Sequence, residues 1–408
     1  MRYPYQPPGP IGKFFGPIVF ALSVIFRKCH ILLFRYEYAF GHQAWNVEFF
    51  ARKHFAERGR WPFMIGFQRR SYVANNGLLL HHKIGRVISI PKDSILNRLF
   101  RYGFAFQQEK FGRSWGTIGY RGIATATMSE LHADVVSTQK CPVAFPIVGN
   151  YKAKAIKSLD SLGLKEGAYF CFQDRGREMG KERYTDSEDM FDVSRRFPID
   201  SFYKGVEDLC CQNLTAVRIG AASGGEWKGP PIVDYAQKYR QEMDDYTDIV
   251  ILAHCKFFVG PGSGVQLCVN AFNRPVCLVN AFPWPWTENP MREHSVVIPK
   301  KYWLKDEKRF LTIKEMVHLE KQFHWKKLYD PTSFGDMEIE VVANTSEEIA
   351  GAMVEINDRL DGCWDGPSYK LRDILEPHNL SYLSAASLGS TFVELNEEGI
   401  DLTLTAYS

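Results

Sequence analysis

Residues 256–267 read Lys-Phe-Phe-Val-Gly-Pro-Gly-Ser-Gly-Val-Gln-Leu: an apolar run, three glycines and a serine within five residues, then a helical pattern. A strand that ends in such a turn and opens a helix leaves backbone N–H groups unpaired at the positive end of the helix dipole. Gly260, Gly262 and Gly264 would let an anion approach the backbone closely, and Ser263 can add a hydroxyl donor. The chemistry this suits is the holding of phosphate. A tight turn that needs positive φ at one or two glycines would leave the same residues. A P-loop needs Gly-Lys-Ser/Thr, and the dinucleotide fingerprint needs G-x-G-x-x-G; neither is present. G-x-G-x-G does occur in S-adenosylmethionine-dependent methyltransferases. Such sites usually hold the ribose with an acidic residue at the end of the next strand, as nucleotide folds do. Here that strand, Val276–Val279, ends in Asn280, and the turn comes late in the chain. Both facts favour a sugar-nucleotide diphosphate over a methyl donor.

Arginines are the second group able to meet a diphosphate. Arg175 follows Phe170-Cys-Phe-Gln-Asp, just beyond an apolar run, at the end of a strand where open α/β sheets bind ligands. Arg195 and Arg196 precede Asp200, and Arg218 sits in Val217-Arg-Ile-Gly220. A diphosphate leaving group gains charge as the glycosidic bond breaks, and guanidinium can stabilise it bidentately. Arg218, inside an apolar run, needs a fixed partner whatever its role. Beyond the glycine turn, Phe282-Pro-Trp-Pro-Trp-Thr-Glu-Asn289 offers rings that could stack on a base or sugar, and Glu288 could hold ribose hydroxyls. Asp244-Asp245 and the carboxylates of 186–189 would suit a metal, but both lie in polar, solvated stretches.

The elements that must position these groups alternate. Ala168–Phe172 predicts a strand, Asp200 caps a helix to about Gln212, and Leu214–Ile219 is a second strand. Asp248 opens a short helix through Ala253, Lys256–Val259 is a strand, Val265–Phe272 a helix and Pro275–Asn280 a strand. Such alternation builds a parallel sheet wound on both faces. Thr345-Ser-Glu-Glu348 is a capping box before a helix over 349–360. Nearer the N-terminus, Gly41–Arg58 reads as a helix closed by Gly59, and Phe63–Phe67 and Arg86–Ile90 as buried strands. Residues 92–145 mix helical patterns and loops, and His81 and His82 fall in a loop.

With 408 residues, 45% of them hydrophobic, the chain can bury more than one core. A net charge of +3 over this length gives no basic patch, and nucleic acid is not an expected partner. The nine cysteines are odd in number, scattered and mostly in apolar stretches. They read as reduced core thiols in a reducing, cytoplasmic compartment, with no zinc spacing among them. Phe14 to Phe34 is apolar except for Arg27, Lys28, Cys29 and His30 in its midst. It is too broken for a spanning helix. It reads either as an interfacial segment with Arg27, Lys28 and Arg35 toward anionic lipid, or as a core helix.

Taken in order, Cys171-Phe-Gln-Asp-Arg175, Ser194-Arg-Arg-Phe-Pro-Ile-Asp-Ser-Phe-Tyr203, Ala216-Val-Arg-Ile-Gly220, Thr247 to Gly264 and Asn273-Arg-Pro-Val-Cys-Leu-Val-Asn280 resemble a known group of sequences. They look like poorly characterised bacterial glycosyltransferases of surface-polysaccharide loci, of GT-B type and distantly similar to O-fucosyltransferases. The resemblance spans roughly residues 36–360 and is strongest over 168–282. It implies an α/β protein with two Rossmann-like domains facing across a cleft, the donor held mainly by the second. It implies that Arg175 contacts the donor phosphates. The family often has a His two residues before that Arg; Gln173 stands there instead, so no role for a His is carried over.

On this view the first domain supplies a base for the acceptor hydroxyl. His42, at a strand-to-helix junction, is the first candidate and Glu48 the second. The expected organisation is an N-terminal membrane-associating segment (1–35), an acceptor-side domain (36–160), a nucleotide-sugar domain (161–376) and a tail (377–408). The donor-binding set is Arg175, Arg218, Gly260, Gly262, Ser263, Gly264, Asn280 and Glu288. The partners are a nucleotide sugar and a glycan or lipid-linked glycan acceptor, at the inner face of the cell membrane; no metal or other cofactor is expected. Two other functions fit parts of the sequence: a methyltransferase, and a non-catalytic sugar-nucleotide-binding scaffold.

Overall fold

The structure is a computed structural model that describes residues 9–36, 40–68, 75–84, 87–91, 93–111, 117–118, 138, 140–175, 196–220, 225–282, 292–322, 334, 337–375 and 386–396. The chain divides into two compact units, Met1–Lys157 with Asp244–Val250, and Ser158–Met243 with Ile251–Ser408. Both are α/β.

In unit 1 the strands β1 (Ile31–Tyr36), β2 (Phe63–Gln68) and β3 (Val87–Ile90) run parallel, and β4 (Thr117–Ile118) joins β1 antiparallel, in the order β3-β2-β1-β4. Its helices are α1 (Pro10–Lys28), α2 (Phe40–Arg58), α3 (Asn76–Ile84) and α4 (Ile95–Phe111). The apolar run over 14–34 is therefore not one segment. It breaks at Cys29-His30, where His30 takes φ 61, and Leu32, Leu33 and Phe34 are buried in β1. β3 is an edge strand with Ile88 exposed, rather than the buried strand the sequence suggested. His81 and His82 lie buried on α3, not in a loop.

α1 is long and apolar enough to cross a membrane by length and composition. It packs on α4 through its smallest residues. Gly12, Gly16, Val19 and Ser23 are buried, and a Cβ on Gly16 would stand 2.9 Å from Phe106 Cβ. On α4, a Cβ on Gly103 would stand 2.5 Å from Val19 Cγ1. The close seam turns the large side chains outward: Ile11, Phe14, Phe15, Ile18, Leu22 and Ile25 are exposed, as are Ile95 and Leu96 on α4. Arg35 is drawn in, its guanidinium 4.2 Å from the centre of the Phe104 ring.

Unit 2 is built on an eight-stranded sheet. Its strands are β5 (Tyr169–Phe172), β6 (Thr215–Arg218), β7 (Val233–Asp234), β8 (Phe258–Gly260), β9 (Val276–Ala281), β10 (Val296–Pro299), β14 (Tyr369–Lys370) and β15 (Ser387–Leu388). The order is β14-β15-β10-β9-β8-β5-β6-β7, parallel throughout except for β14. Every residue of β5, β8, β9 and β10 is buried, as a parallel sheet covered on both faces requires. A small antiparallel sheet holds β11 (Lys301–Leu304), β12 (Arg309–Phe310) and β13 (Ile339–Val342).

The remaining helices are α5 (Asn150–Ser161), α6 (Tyr203–Cys211), α7 (Asp245–His254), α8 (Gly264–Ala271), α9 (Ile313–Gln322), α10 (Ser346–Asp361), α11 (Leu371–Leu375) and α12 (Ser390–Leu395). α10 carries the expected capping box, with Thr345 Oγ1 accepting from Glu348 N at 3.2 Å, and it ends at Gly362 with φ 72. Two helix starts differ from expectation. Asp200 lies inside a 3₁₀ turn, Ile199–Phe202, rather than capping α6. α7 begins three residues before Asp248, because Asp244 accepts from Thr247 N at 3.0 Å and caps it. The supposed tail is also integral in part: β15 enters the large sheet beside β10, and Phe392 of α12 is buried.

Candidate donor site at the carboxyl ends of the large sheet

The carboxyl ends of β5 and β8 bring together the turn and one of the predicted arginines, Arg175. Ser263 is the N-cap of α8, its Oγ accepting from Gln266 N at 3.2 Å. The Ser263 hydroxyl proton goes to Gln173 Oε1 at 2.7 Å, so this hydroxyl is spent on fixing the turn to the end of β5. With Gln266 capped, the N–H groups of Gly264 and Val265 meet no acceptor among the described residues. Arg175, half-buried, donates from Nη1 to the Gly262 carbonyl at 3.3 Å, which sets its guanidinium beside the turn.

Gly260 and Gly262 do different things, and none of the three glycines takes a positive φ. A Cβ on Gly260 would stand 2.9 Å from Phe258 Cζ and 3.1 Å from the Gln173 carbonyl, so packing alone demands glycine. A Cβ on Gly262 would meet nothing within 4 Å. Among the described residues nothing crowds a side chain at Gly262, and no positive φ calls for glycine there. That is the condition for an approaching phosphate.

Arg218 does not face this space. It is wholly buried, with Nε and Nη2 donating to Asp174 at 2.9 and 3.2 Å and Nη1 to the Gly225 carbonyl at 2.9 Å and to Asp234 at 3.4 Å. Its donors are used inside, so the expectation that it binds donor is corrected: it ties the ends of β5, β6 and β7 together. Asp174, which the sequence left without a role, is its main counter-ion. The apolar strand around Arg218 was the available signal, since a buried guanidinium must find a carboxylate. Gln173 was missed as well. Gly220, at φ 103, lies so close that a Cβ there would stand 2.7 Å from Gln173 Nε2, which leaves the Gln173 amide room to reach Ser263.

Asn280, next to last in β9, lies in the left-handed region, φ 50, fully buried. It exchanges two hydrogen bonds with Asn344, N to Oδ1 at 2.6 Å and Oδ1 from N at 2.8 Å. Glu288, Arg195 and residues 186–189 lie outside the described residues. Asp244 pairs with Lys154 at 2.6 Å and Asp245 accepts from Asn76 N at 3.0 Å, so both of these acids have structural partners. Among the described residues no group of three or more His, Cys, Asp and Glu could hold a metal ion.

In unit 1, His42 is exposed in the first turn of α2. Glu48, on the same helix, is buried. Its Oε1 accepts from Arg52 Nε and from Ala144 N, both at 2.6 Å. Burial raises its pKa above the usual carboxylate range, with Arg52 and the Ala144 amide opposing. The second base candidate thus anchors residue 144 to α2, and its sealed carboxylate is not open to an acceptor.

No family model and no curated protein matches the sequence. Solved structures show weak likeness. A glycosyl transferase family 9 protein from Veillonella parvula has 10% identity and a TM-score of 0.40, covering 76% of this chain and 97% of that one. E. coli heptosyltransferase WaaC, solved with ADP-2-deoxy-2-fluoro heptose, has 15% identity and a TM-score of 0.31, covering 63% and 91%. E. coli ADP-heptose LPS heptosyltransferase II has 14% identity and a TM-score of 0.33, covering 61% and 83%. Likeness this weak decides neither activity nor substrate; the residues of the site must.

Proposed function

We propose that this chain is a glycosyltransferase of GT-B type that moves a sugar from a nucleoside-diphosphate sugar to a glycan or lipid-linked glycan at a cytoplasmic membrane face, in the making of surface polysaccharide. The observation that carries it is Gly262: a glycine without positive φ whose added Cβ would meet nothing within 4 Å among the described residues, beside two helix-start N–H groups that meet no acceptor among those residues. A diphosphate seated there meets the dipole of α8 and the Arg175 guanidinium, and charge met in that way needs no cation. As the glycosidic bond breaks, the leaving diphosphate gains negative charge and its contact with Arg175 strengthens. His42 is the proposed base for the acceptor hydroxyl; its exposure at the start of α2 supports this. A methyl-donor site is disfavoured, because the strand after the turn carries at its carboxyl end a buried asparagine tied to Asn344 rather than an acid. The exposed apolar side chains of α1 and α4, with Lys13 and Lys28 among them and no acid in α1, support the membrane.

The test is calorimetric titration of UDP, GDP, CMP and ADP, with EDTA present, into the wild type and into Gly262→Val. One nucleotide should bind the wild type, and none should bind the variant. Since the valine meets open space, the variant should keep its fold and melt as the wild type does. A folded Gly262→Val protein that binds as well as wild type, or binding that vanishes with EDTA, would sink the proposal.

A further inference from the structure

Among the described residues the buried Arg and Lys side chains are paired, with one exception. Arg52 has Glu48, Arg218 has Asp174, and Lys301 has Glu348 at 2.7 Å. Lys300, next to Lys301 and likewise 6% exposed, has no hydrogen-bond or ion-pair acceptor for its ammonium among the described residues, and the ammonium keeps a small opening to solvent. Its backbone N–H donates to the Ala281 carbonyl at 3.1 Å, which fixes it at the carboxyl ends of β9 and β10. Burial alone lowers its pKa to about 8, with no neighbouring charge contributing. A buried, unpaired cation lowers stability, and groups kept at such a cost concentrate at functional sites.

A second unmatched donor stands at the neighbouring strand end. The pair of bonds to Asn344 fixes Asn280 Oδ1 as an acceptor, so Nδ2 is the donor, and it is buried without a partner. Asn344 Nδ2 in turn donates to the Pro299 carbonyl at 2.8 Å, joining the Asn280 and Lys300 strand ends into one polar cluster. The cluster lies on the edge of the sheet that carries Arg175 and the glycine turn. By strand order Lys300 is two strands from β8, about 10 Å along that edge. A phosphate resting on the turn therefore leaves Lys300 to some other part of the substrates.

We propose that Lys300 receives a second anionic group, a carboxylate or phosphoryl, carried by the substrates away from the diphosphate. This rests on the donor-site assignment above and narrows the substrate class: either the transferred sugar is acidic or the acceptor bears a phosphate. The experiment uses full-length wild type, Lys300→Met and Lys300→Arg. Each is titrated with the nucleoside diphosphate that binds, with that diphosphate linked to a neutral sugar or to a uronic acid, and with a short-chain prenyl phosphate. Loss of an unpaired buried charge should raise the melting temperature of free Lys300→Met by about 2–6 °C. Affinity for the plain diphosphate should stay within about threefold, and affinity for one of the two anionic probes should fall on the order of tenfold or more. Loss with the uronic acid points to the donor sugar, and loss with the prenyl phosphate to the acceptor. Lys300→Arg should keep most of the affinity. A Lys300→Met protein that melts lower, that loses the plain diphosphate, or that keeps both anionic probes overturns the proposal. If the wild type binds no nucleotide at all, it is the donor-site assignment that fails, and this inference fails with it.

Discussion

At the scale of single residues, burial separates groups that chemistry can use from groups that hold the scaffold. Arg175, half-buried against the Gly262 carbonyl, is on the usable side. Arg175→Ala should therefore lower turnover more than diphosphate affinity, because the contact strengthens only as the leaving group charges; steady-state kinetics beside calorimetry will show a kcat loss exceeding the binding loss. His42→Ala should lower turnover by about two to four orders of magnitude with donor affinity unchanged, the range for a positioned base. Glu48→Ala should instead cost stability, about 3–5 kcal/mol, because Arg52 would be left buried without its carboxylate; denaturant unfolding measures it. The placement of the glycine turn between a strand and a helix, and of Arg175 just past a strand, was legible because their neighbours in sequence announce it. The true work of Arg218, Glu48 and Ser263 was not, because each is defined by a partner 44, 96 or 90 residues away. Lys300 was invisible for the same reason: only packing reveals which of two adjacent lysines has a carboxylate.

At the scale of elements, the buried parallel strands were easiest to read. Continuous apolar runs gave β5, β6, β8 and β9 within a residue or two, the last three ended by Gly or Asn. Short pieces whose existence depends on tertiary pairing were not legible. β7, β14 and β15 are two residues each, and nothing local distinguishes Ser387-Leu388 from a tail until β10 lies beside it. α1 shows the other difficulty, since its apolar character runs on into β1 and only the turn at His30 parts them. That division also decides how membrane binding should be tested. Removing residues 1–34 would take most of β1 from between β2 and β4 and unfold unit 1. Replacing Phe14, Ile18 and Ile25 by serine touches only outward positions. Wild type should float with vesicles containing anionic lipid, and the triple variant should lose affinity on the order of tenfold or more while melting normally. Wild type that stays with the soluble fraction would remove the membrane from the proposal.

At the scale of the whole molecule, the two units differ in how acid should act on them. Among the described residues the buried histidines are His54, His81 and His82, and all three belong to unit 1. Burial lowers His81 to about 4, burial and then His30 lower His54 to about 4, and burial and then His81 lower His82 well below the ordinary value. A histidine whose folded pKa lies below its unfolded value contributes stability that is fully present above about pH 6.5 and is lost as pH falls toward the folded pKa. For His81 alone the linkage gives a loss of about 2 kcal/mol between pH 7.5 and pH 5. His54 adds to it, because its Nε2 lies 3.0 Å from His30 Nδ1 and the two rings cannot both be charged at that distance without repulsion. The described histidines of unit 2, His254, His294 and His318, are half-buried or exposed, so among the described residues this source of acid sensitivity lies in unit 1. Hydrogen exchange followed by mass spectrometry at pH 7.5, 6.5, 5.5 and 5, corrected for intrinsic rates, should show protection falling in α2 and α3 while β5, β8 and β9 change little. His81→Phe should flatten the pH dependence in α3. Equal loss of protection in both units, or an unchanged slope in the variant, would mean that these histidines do not set the acid limit of the protein.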